Sequence, residues 1–213
     1  MVQRLEDRET GWLLIESLLK EPAKSEEGRS AGATHAQLLE EHQSWAEEAA
    51  NRIAEQLALP EPYAQMLQVA ARLHDEGKRA QIWQRAFNAP RDGAYAKTTS
   101  RPNLQRLDHY RHELGSLPYA EQEPRVRALD APLRELCLHL IAAHHGNARP
   151  SIRTDGAEEP PSRLRERAQE IALRFATLEL RWGPWGLAWW ESLLRAADQQ
   201  ASRRNDLEGG ERG

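Results

Sequence analysis

The stretch Leu73-His74-Asp75-Glu76-Gly77-Lys78 closes a run in which Tyr63, Met66, Leu67, Ala70 and Leu73 recur at three- and four-residue steps. That period lays the apolar residues along one side of an α-helix, and His74 continues the same side. Pro60 and Pro62 mark the start of this helix, and Gly77 is placed to end it. An imidazole and a carboxylate thus stand side by side where an apolar stripe runs out.

The same periodicity extends in both directions. Upstream, Leu38, His42, Trp45, Ala49, Ile53 and Leu57 predict a helix over about 35–58. Downstream, a helix is expected over 106–119. Another begins near Pro132 and carries Leu133, Leu136, Cys137, Leu140, Ile141 and His144 up to Gly146. Leu164, Ala168, Ile171, Phe175 and Leu178 predict an amphipathic helix. After Gly183-Pro184, a last helix bears Leu187, Trp190, Leu194, Ala197 and Asp198. The stretches 88–103 and 147–162, rich in Pro, Gly and Asp, read as loops. No run of alternating β-branched residues predicts a strand. The expectation is an all-α helical bundle over 33–204. A short helix (9–19) and a linker would precede it within 1–32, and a disordered tail would follow over 205–213.

Bulk properties narrow the class. The 213 residues suit one domain with its own core, and 39% hydrophobic with 29% charged residues suits a soluble globular chain. No eighteen-residue apolar run offers a membrane span. The single cysteine, Cys137, cannot form an internal disulfide, which favours a cytoplasmic setting. Net charge is −4, yet between Lys78 and Arg111 eight basic residues face two acidic ones. A polyanion could be held there although the chain as a whole is acidic.

The chemistry lies in where the histidines fall. His42, His74 and His144 each continue an apolar stripe, as does Asp198, four residues after Leu194. A lone histidine on such a face is ordinarily a hydrogen-bonded core residue, but four ionisable groups on separate helices are costly unless they meet a common partner. A divalent cation is that partner, because neutral imidazole and carboxylate are its usual ligands. The adjacent pairs His74-Asp75 and His144-His145 splay by about 100° on a helix, which suits two neighbouring ions better than one. Asp75 could bridge them. His109 and His112 lie on one predicted helix, and on residues alone either could join the set.

In order and type, these residues resemble the HD superfamily of metal-dependent phosphohydrolases over most of the chain. His74-Asp75 with Lys78 three residues on is similar to the superfamily signature. Arg111-His112-Glu113, Ala143-His144-His145-Gly146, and Ala197-Asp198 with Ser202 look like the HD nuclease domain of the CRISPR-associated type I helicase–nuclease. The resemblance implies an HD-domain bundle around a dinuclear metal site. His42, His74, Asp75 and Asp198 would hold one ion, and Asp75, His112, His144 and His145 the other. Lys78 would neutralise the scissile phosphate, and Ser202 would orient Asp198 or touch substrate. It also implies single-stranded DNA as substrate, delivered by a helicase after a guide-RNA surveillance complex opens the target.

Manganese, iron, cobalt or nickel suits such ligands best, with magnesium admitted. No Gly-Lys-Ser/Thr phosphate loop occurs, so unwinding is expected of a helicase, separate or part of a longer chain. Within the basic stretch, Lys78, Arg79, Trp83, Lys97 and Arg101 are the expected nucleic-acid contacts, with Trp83 as a stacking surface. Two other readings stand beside this one. One is an HD hydrolase of nucleotides or cyclic dinucleotides; the other is a non-catalytic module in which metal only staples helices.

Overall fold

A computed structural model describes residues 4–6, 13–15, 33–146, 148 and 160–211. The architecture is all-α, as the periodicity requires. Among the described residues seven helices carry the fold: α1 (Leu39–Gln56), α2 (Glu61–Leu73), α3 (Gln81–Ala86), α4 (His112–Gln122), α5 (Pro124–Ala128), α6 (Ala131–Ala143) and α7 (Pro161–Glu211). No helix among the described residues is long and apolar enough to cross a membrane.

Local sequence explains the boundaries. Proline stands in the first turn of α2, α5 and α6, where its missing N–H has no helical partner to lose. Asp130 caps α6 by accepting a hydrogen bond from the Leu133 amide at 2.9 Å. The α7 span is two helical segments joined at Gly183, whose φ of 66° and ψ of 168° suit glycine, with Pro184 opening the second. One core gathers the apolar faces of α1, α2, α4, α6 and both segments of α7. Leu67, Leu117, Leu136, Leu140 and Leu194 are fully buried in it. Cys137 lies there too, and burial pushes its thiol up to about 12, as expected of an inert buried cysteine.

A second, smaller cluster of Ala80, Trp83, Ala86, Phe87, Leu107 and Tyr110 supports the loop after α3. Trp83 is fully buried and stacks on Phe87 at 4.3 Å between ring centroids. It is therefore not the exposed stacking surface expected of it: the ring is spent on holding this lobe together.

Several boundaries differ from the sequence expectation. Leu13–Ile15 (β2), inside the expected first helix, pairs antiparallel with Arg4–Glu6 (β1); the rest of that helix and the 21–32 linker lie outside the described residues. Gln37–Leu38 (β3) pairs with Tyr95–Lys97 (β4), so α1 begins at Leu39. Such short ribbons carry too few residues to show alternation. The helix expected from 106 begins only at His112, because Asp108 and His109 adopt positive φ after a 3-10 turn at Leu104–Leu107. At the other end, α7 runs on to Glu211 instead of giving way to disorder at 205. Arg204 pairs with Glu208 one turn on, and Asn205 donates to the His35 carbonyl at 3.0 Å.

Gly77 does not terminate α2, which ends at Leu73; it sits in the 3-10 turn Glu76–Arg79. Its role is close approach. A Cβ there would fall 2.1 Å from the His112 carbonyl oxygen, which is backbone and cannot step aside. Gly77→Ala should therefore destabilise the protein by about 1–3 kcal/mol or more, through overpacking against α4. Urea unfolding measures this, and an unchanged midpoint would refute the close contact.

Candidate metal centre

Six helix and turn segments each deliver one or two polar side chains to the middle of the core. His42 lies in the first turn of α1, and His74 and Asp75 directly follow α2. Lys78 is in the 3-10 turn, His112 opens α4, His144 and His145 directly follow α6, and Asp198 is on the second segment of α7. His42, His74, Asp75 and His112 are at most 1% exposed, and His144 is 5% exposed.

Asp75 sits between two groups of imidazoles. Its Oδ2 faces His42 Nε2 at 3.4 Å and His74 Nε2 at 3.5 Å, and accepts a hydrogen bond from Lys78 Nζ at 2.7 Å. Its Oδ1 faces His112 Nε2 at 3.1 Å and His144 Nε2 at 3.7 Å. Asp198 Oδ1 adds to the first group, 3.1 Å from His42 Nε2 and 3.8 Å from His74 Nε2. In the second group His112 Nε2 lies 3.2 Å from His144 Nε2 and 3.1 Å from His145 Nε2. His42, His74 and Asp75 form one set whose donor atoms lie within 4.8 Å of one another, and His112, His144 and His145 form another.

The tautomers point the lone pairs inward. His74 Nδ1–H donates to the Ala71 carbonyl at 2.8 Å, and His144 Nδ1–H donates to the Ile141 carbonyl at 2.7 Å. His42 Nδ1 meets Gln37 Oε1 at 3.1 Å. With one ring nitrogen protonated by such a bond, a neutral imidazole presents the other as a bare acceptor. The Nε2 atoms of His42 and His74 are buried with no hydrogen-bond partner. Orphaned acceptors converging on carboxylates are what a cation satisfies, so the donor set fits divalent metal.

Electrostatics favours the ligating form of His42, His144, His145, Asp75 and Asp198. Burial lowers His42, His144 and His145, favouring the neutral ring. Burial acts on His74 in the same sense, but Asp75 and Asp198 outweigh it and raise it. Burial opposes ionisation of Asp75, yet His74 and Lys78 hold it well below the usual carboxylate range. Burial likewise opposes ionisation of Asp198, and the neighbouring His42 and His74 rings keep it well below that range.

The segments are locked together by small residues. Ser116, fully buried, accepts from the Gly77 amide at 2.8 Å and has the carbonyls of His74 and His112, each at 2.8 Å, as acceptors for its proton. Tyr110 Oη donates to the Gly77 carbonyl at 2.8 Å. The turn bearing Asp75 and the helix bearing His112 are thus held in fixed register. Ser116 and Gln37 escaped the sequence reading. Ser116 stands four residues after His112 on one helix face, a spacing that could have revealed it, whereas Gln37 falls inside the helix expected over 35–58 but off its apolar stripe, and lies in a strand instead.

Other expected residues fall differently. Ser202 Oγ lies 3.4 Å from Asp198 Oδ1, one turn on. His109 is exposed at positive φ and stays out of the cluster that His112 joins. His139 is buried against Glu191 Oε1 at 2.8 Å, a structural pair. Of the expected nucleic-acid contacts, Lys78 and Lys97 are buried, at 3% and 8% exposure. Burial and the neighbouring Lys78 charge lower Lys97, while Asp198 and Asp75 oppose that shift. Arg79 is exposed but pairs with Glu76, and Arg111 pairs with Glu113 at 2.9 Å. Arg91 and Arg101 are exposed on the loop, as are Arg85 at the end of α3 and Arg106 in the 3-10 turn. Acids just outside the basic stretch therefore offset part of its charge.

Residues 30–207 match a protein-family model described as "Cas3, HD domain". No curated protein and no solved structure matches the chain.

Metal should stabilise the fold, because the sites need neutral imidazoles held in their folded positions. Mn²⁺ at roughly a hundred times its dissociation constant adds about 2.7 kcal/mol per site, raising the thermal midpoint, and chelation reverses it. Asp75→Asn should abolish the shift. A midpoint indifferent to Mn²⁺, Co²⁺ and Ni²⁺ alike would sink the metal assignment.

Proposed function

The chain belongs to the Cas3 HD-domain family, and from that premise we propose that it is a two-metal nuclease cutting single-stranded DNA in CRISPR type I interference. Membership implies a metal-dependent HD nuclease of CRISPR systems. The observation that carries the finer reading is the division of Asp75, with one oxygen toward each imidazole group.

On this reading His42, His74, Asp75 and Asp198 hold one divalent ion, and Asp75, His112, His144 and His145 hold the other. Ions in such a pair supply the charge that activates water at neutral pH and steadies the transition state of phosphodiester hydrolysis. The remaining work falls to the protein. Asp75 and Asp198 stay ionised, burial favours the neutral ring at His42, His144 and His145, and Nδ1 bonds orient His42, His74 and His144. Lys78, fixed against Asp75 Oδ2, is a positive charge already in place before the scissile phosphate arrives. Ser202 steadies the Asp198 carboxylate. No protein nucleophile is required, and Cys137 is too deeply buried and too weakly acidic to supply one.

Lys97 is a second inward cation, and the exposed Arg91, Arg101 and Arg106 extend positive charge away from the centre along the loop. Exposed cations spread over that stretch suit a chain of phosphates better than one enclosed nucleotide. Trp83 has no part in it. Strand separation would come from a helicase, fused or separate, working with a guide-RNA surveillance complex, and the setting would be cytoplasmic.

The test sets labelled single-stranded DNA beside single-stranded RNA, duplex DNA and a panel of nucleotides and cyclic dinucleotides, each with Mn²⁺, Co²⁺ and Ni²⁺. Single-stranded DNA should be cut in a metal-dependent way. Asp75→Asn should fall by at least about a thousandfold, roughly 4 kcal/mol of barrier, while retaining the wild-type circular dichroism spectrum. Cleavage confined to nucleotides would overturn the DNA assignment. Loss of folding in the variant together with inactivity of the wild type would favour a metal-stapled binding module.

A further inference from the structure

Three histidines of the centre have an Nδ1 partner that fixes the tautomer, and the partners differ in kind. His74 and His144 stand just past the C-terminal ends of α2 and α6. The last carbonyls of a helix have no amide donor of their own, so the Ala71 and Ile141 carbonyls are free to take the imidazole proton. Those partners are backbone and persist whatever the side chains nearby. His42 has no such recourse. It lies in the first turn of α1, where the carbonyls are already committed to amides one turn on. Its acceptor has to come from outside the helix, and Gln37 Oε1, in β3, occupies that position at 3.1 Å.

Gln37 is 1% exposed, and its side-chain nitrogen has no hydrogen-bond partner. Burying an amide with half its capacity unused costs stability, so the oxygen end must return something. The strand pairing explains how the residue is held: Gln37 lies opposite Lys97 across the β3–β4 ribbon. The acceptor for His42 is thereby tied to the backbone at Lys97, within the basic stretch.

We propose that Gln37 is a positioning residue, which locks His42 as its Nδ1–H tautomer and so keeps His42 Nε2 available to metal in the His42–His74–Asp75–Asp198 half of the centre. The proposal deepens the two-metal reading and rests on it. It predicts an asymmetry: Gln37 governs the affinity of one ion and leaves the His112–His144–His145 half alone. Free neutral imidazole favours the opposite tautomer, with the proton on Nε2, so loss of the acceptor turns a donor toward the cation's place.

The variants are Gln37→Met, which keeps length and removes the acceptor, and Gln37→Glu, which keeps an acceptor oxygen. Nitrogen-15 NMR of the metal-free, full-length protein reads the His42 tautomer directly. Wild type and Gln37→Glu should show the proton on Nδ1, and Gln37→Met should show it on Nε2. Co²⁺ titration, followed by visible absorption and calorimetry, should give two ions for the wild type. For Gln37→Met one ion should be weakened roughly ten- to a hundredfold, with the other unchanged and Gln37→Glu restored. Unchanged Co²⁺ binding in Gln37→Met overturns the proposal, as does equal weakening of both ions in step with a lower thermal midpoint. A wild type with the Nε2–H tautomer at His42 also overturns it, even if Gln37→Met does not fold. A wild type that binds no Co²⁺ would instead bring down the metal reading beneath it.

Discussion

A single buried carboxylate, Asp75, organises the middle of this molecule. Its two oxygens are each within 4 Å of two imidazole nitrogens, and Lys78 closes on one of them. An ionised carboxylate this deep is tolerable only if its field is answered nearby. Everything else in the fold can be read as supplying that answer. Helices end or begin at the centre, so that short side chains reach it from several directions without long, mobile stems.

Such convergence demands close backbone approach, and the small residues make it feasible. Gly77 admits the His112 carbonyl where any Cβ would collide. Gly115 admits the Tyr110 hydroxyl, which in turn bonds the Gly77 carbonyl. Ser116 satisfies polar backbone groups of three segments with one hydroxyl. These contacts are short-range and directional, so the relative placement of Asp75 and His112 is fixed by backbone and not by the imidazoles themselves. The side chains that could hold metal are therefore preorganised, and binding would not draw on ligand energy to assemble them.

The bundle itself was legible in the sequence, because long amphipathic helices announce themselves by period. The histidines that continue those stripes, His42, His74 and His144, were legible for the same reason: a stripe that ends in an imidazole still points at the core. What periodicity could not reveal were features made by tertiary contact. Trp83 sits in a run of basic residues and reads as exposed, but its neighbours across the fold, Phe87, Leu107 and Tyr110, enclose it. Asp108 and His109 look helical by composition, yet their positive φ delays α4 until His112. Gln37 acquires its importance from a carbonyl shortage in the first turn of a helix, which no residue pattern encodes. The basic loop misled by its count, since Arg79 and Arg111 are answered by Glu76 and Glu113 just beyond its ends.

The charge balance of the centre bears on what it would accept. Asp75 and Asp198 are ionised, Lys78 and Lys97 lie close to them, and most of the buried imidazoles are biased toward neutrality. Two carboxylates facing two ammonium groups come near cancelling, so the protein holds little negative charge in reserve for two divalent ions. At short range and low dielectric an uncancelled excess of that kind is expensive. The remaining negative charge has to arrive with hydroxide and with substrate. On the proposed reading, such a centre would bind a phosphodiester anion more strongly once its cations are in place, and the cations more strongly once the anion is bound, because by linkage each binding event strengthens the other. A neutral ligand of the same shape would leave the excess standing, so on that reading the scarcity of carboxylates would favour phosphodiesters over neutral ligands.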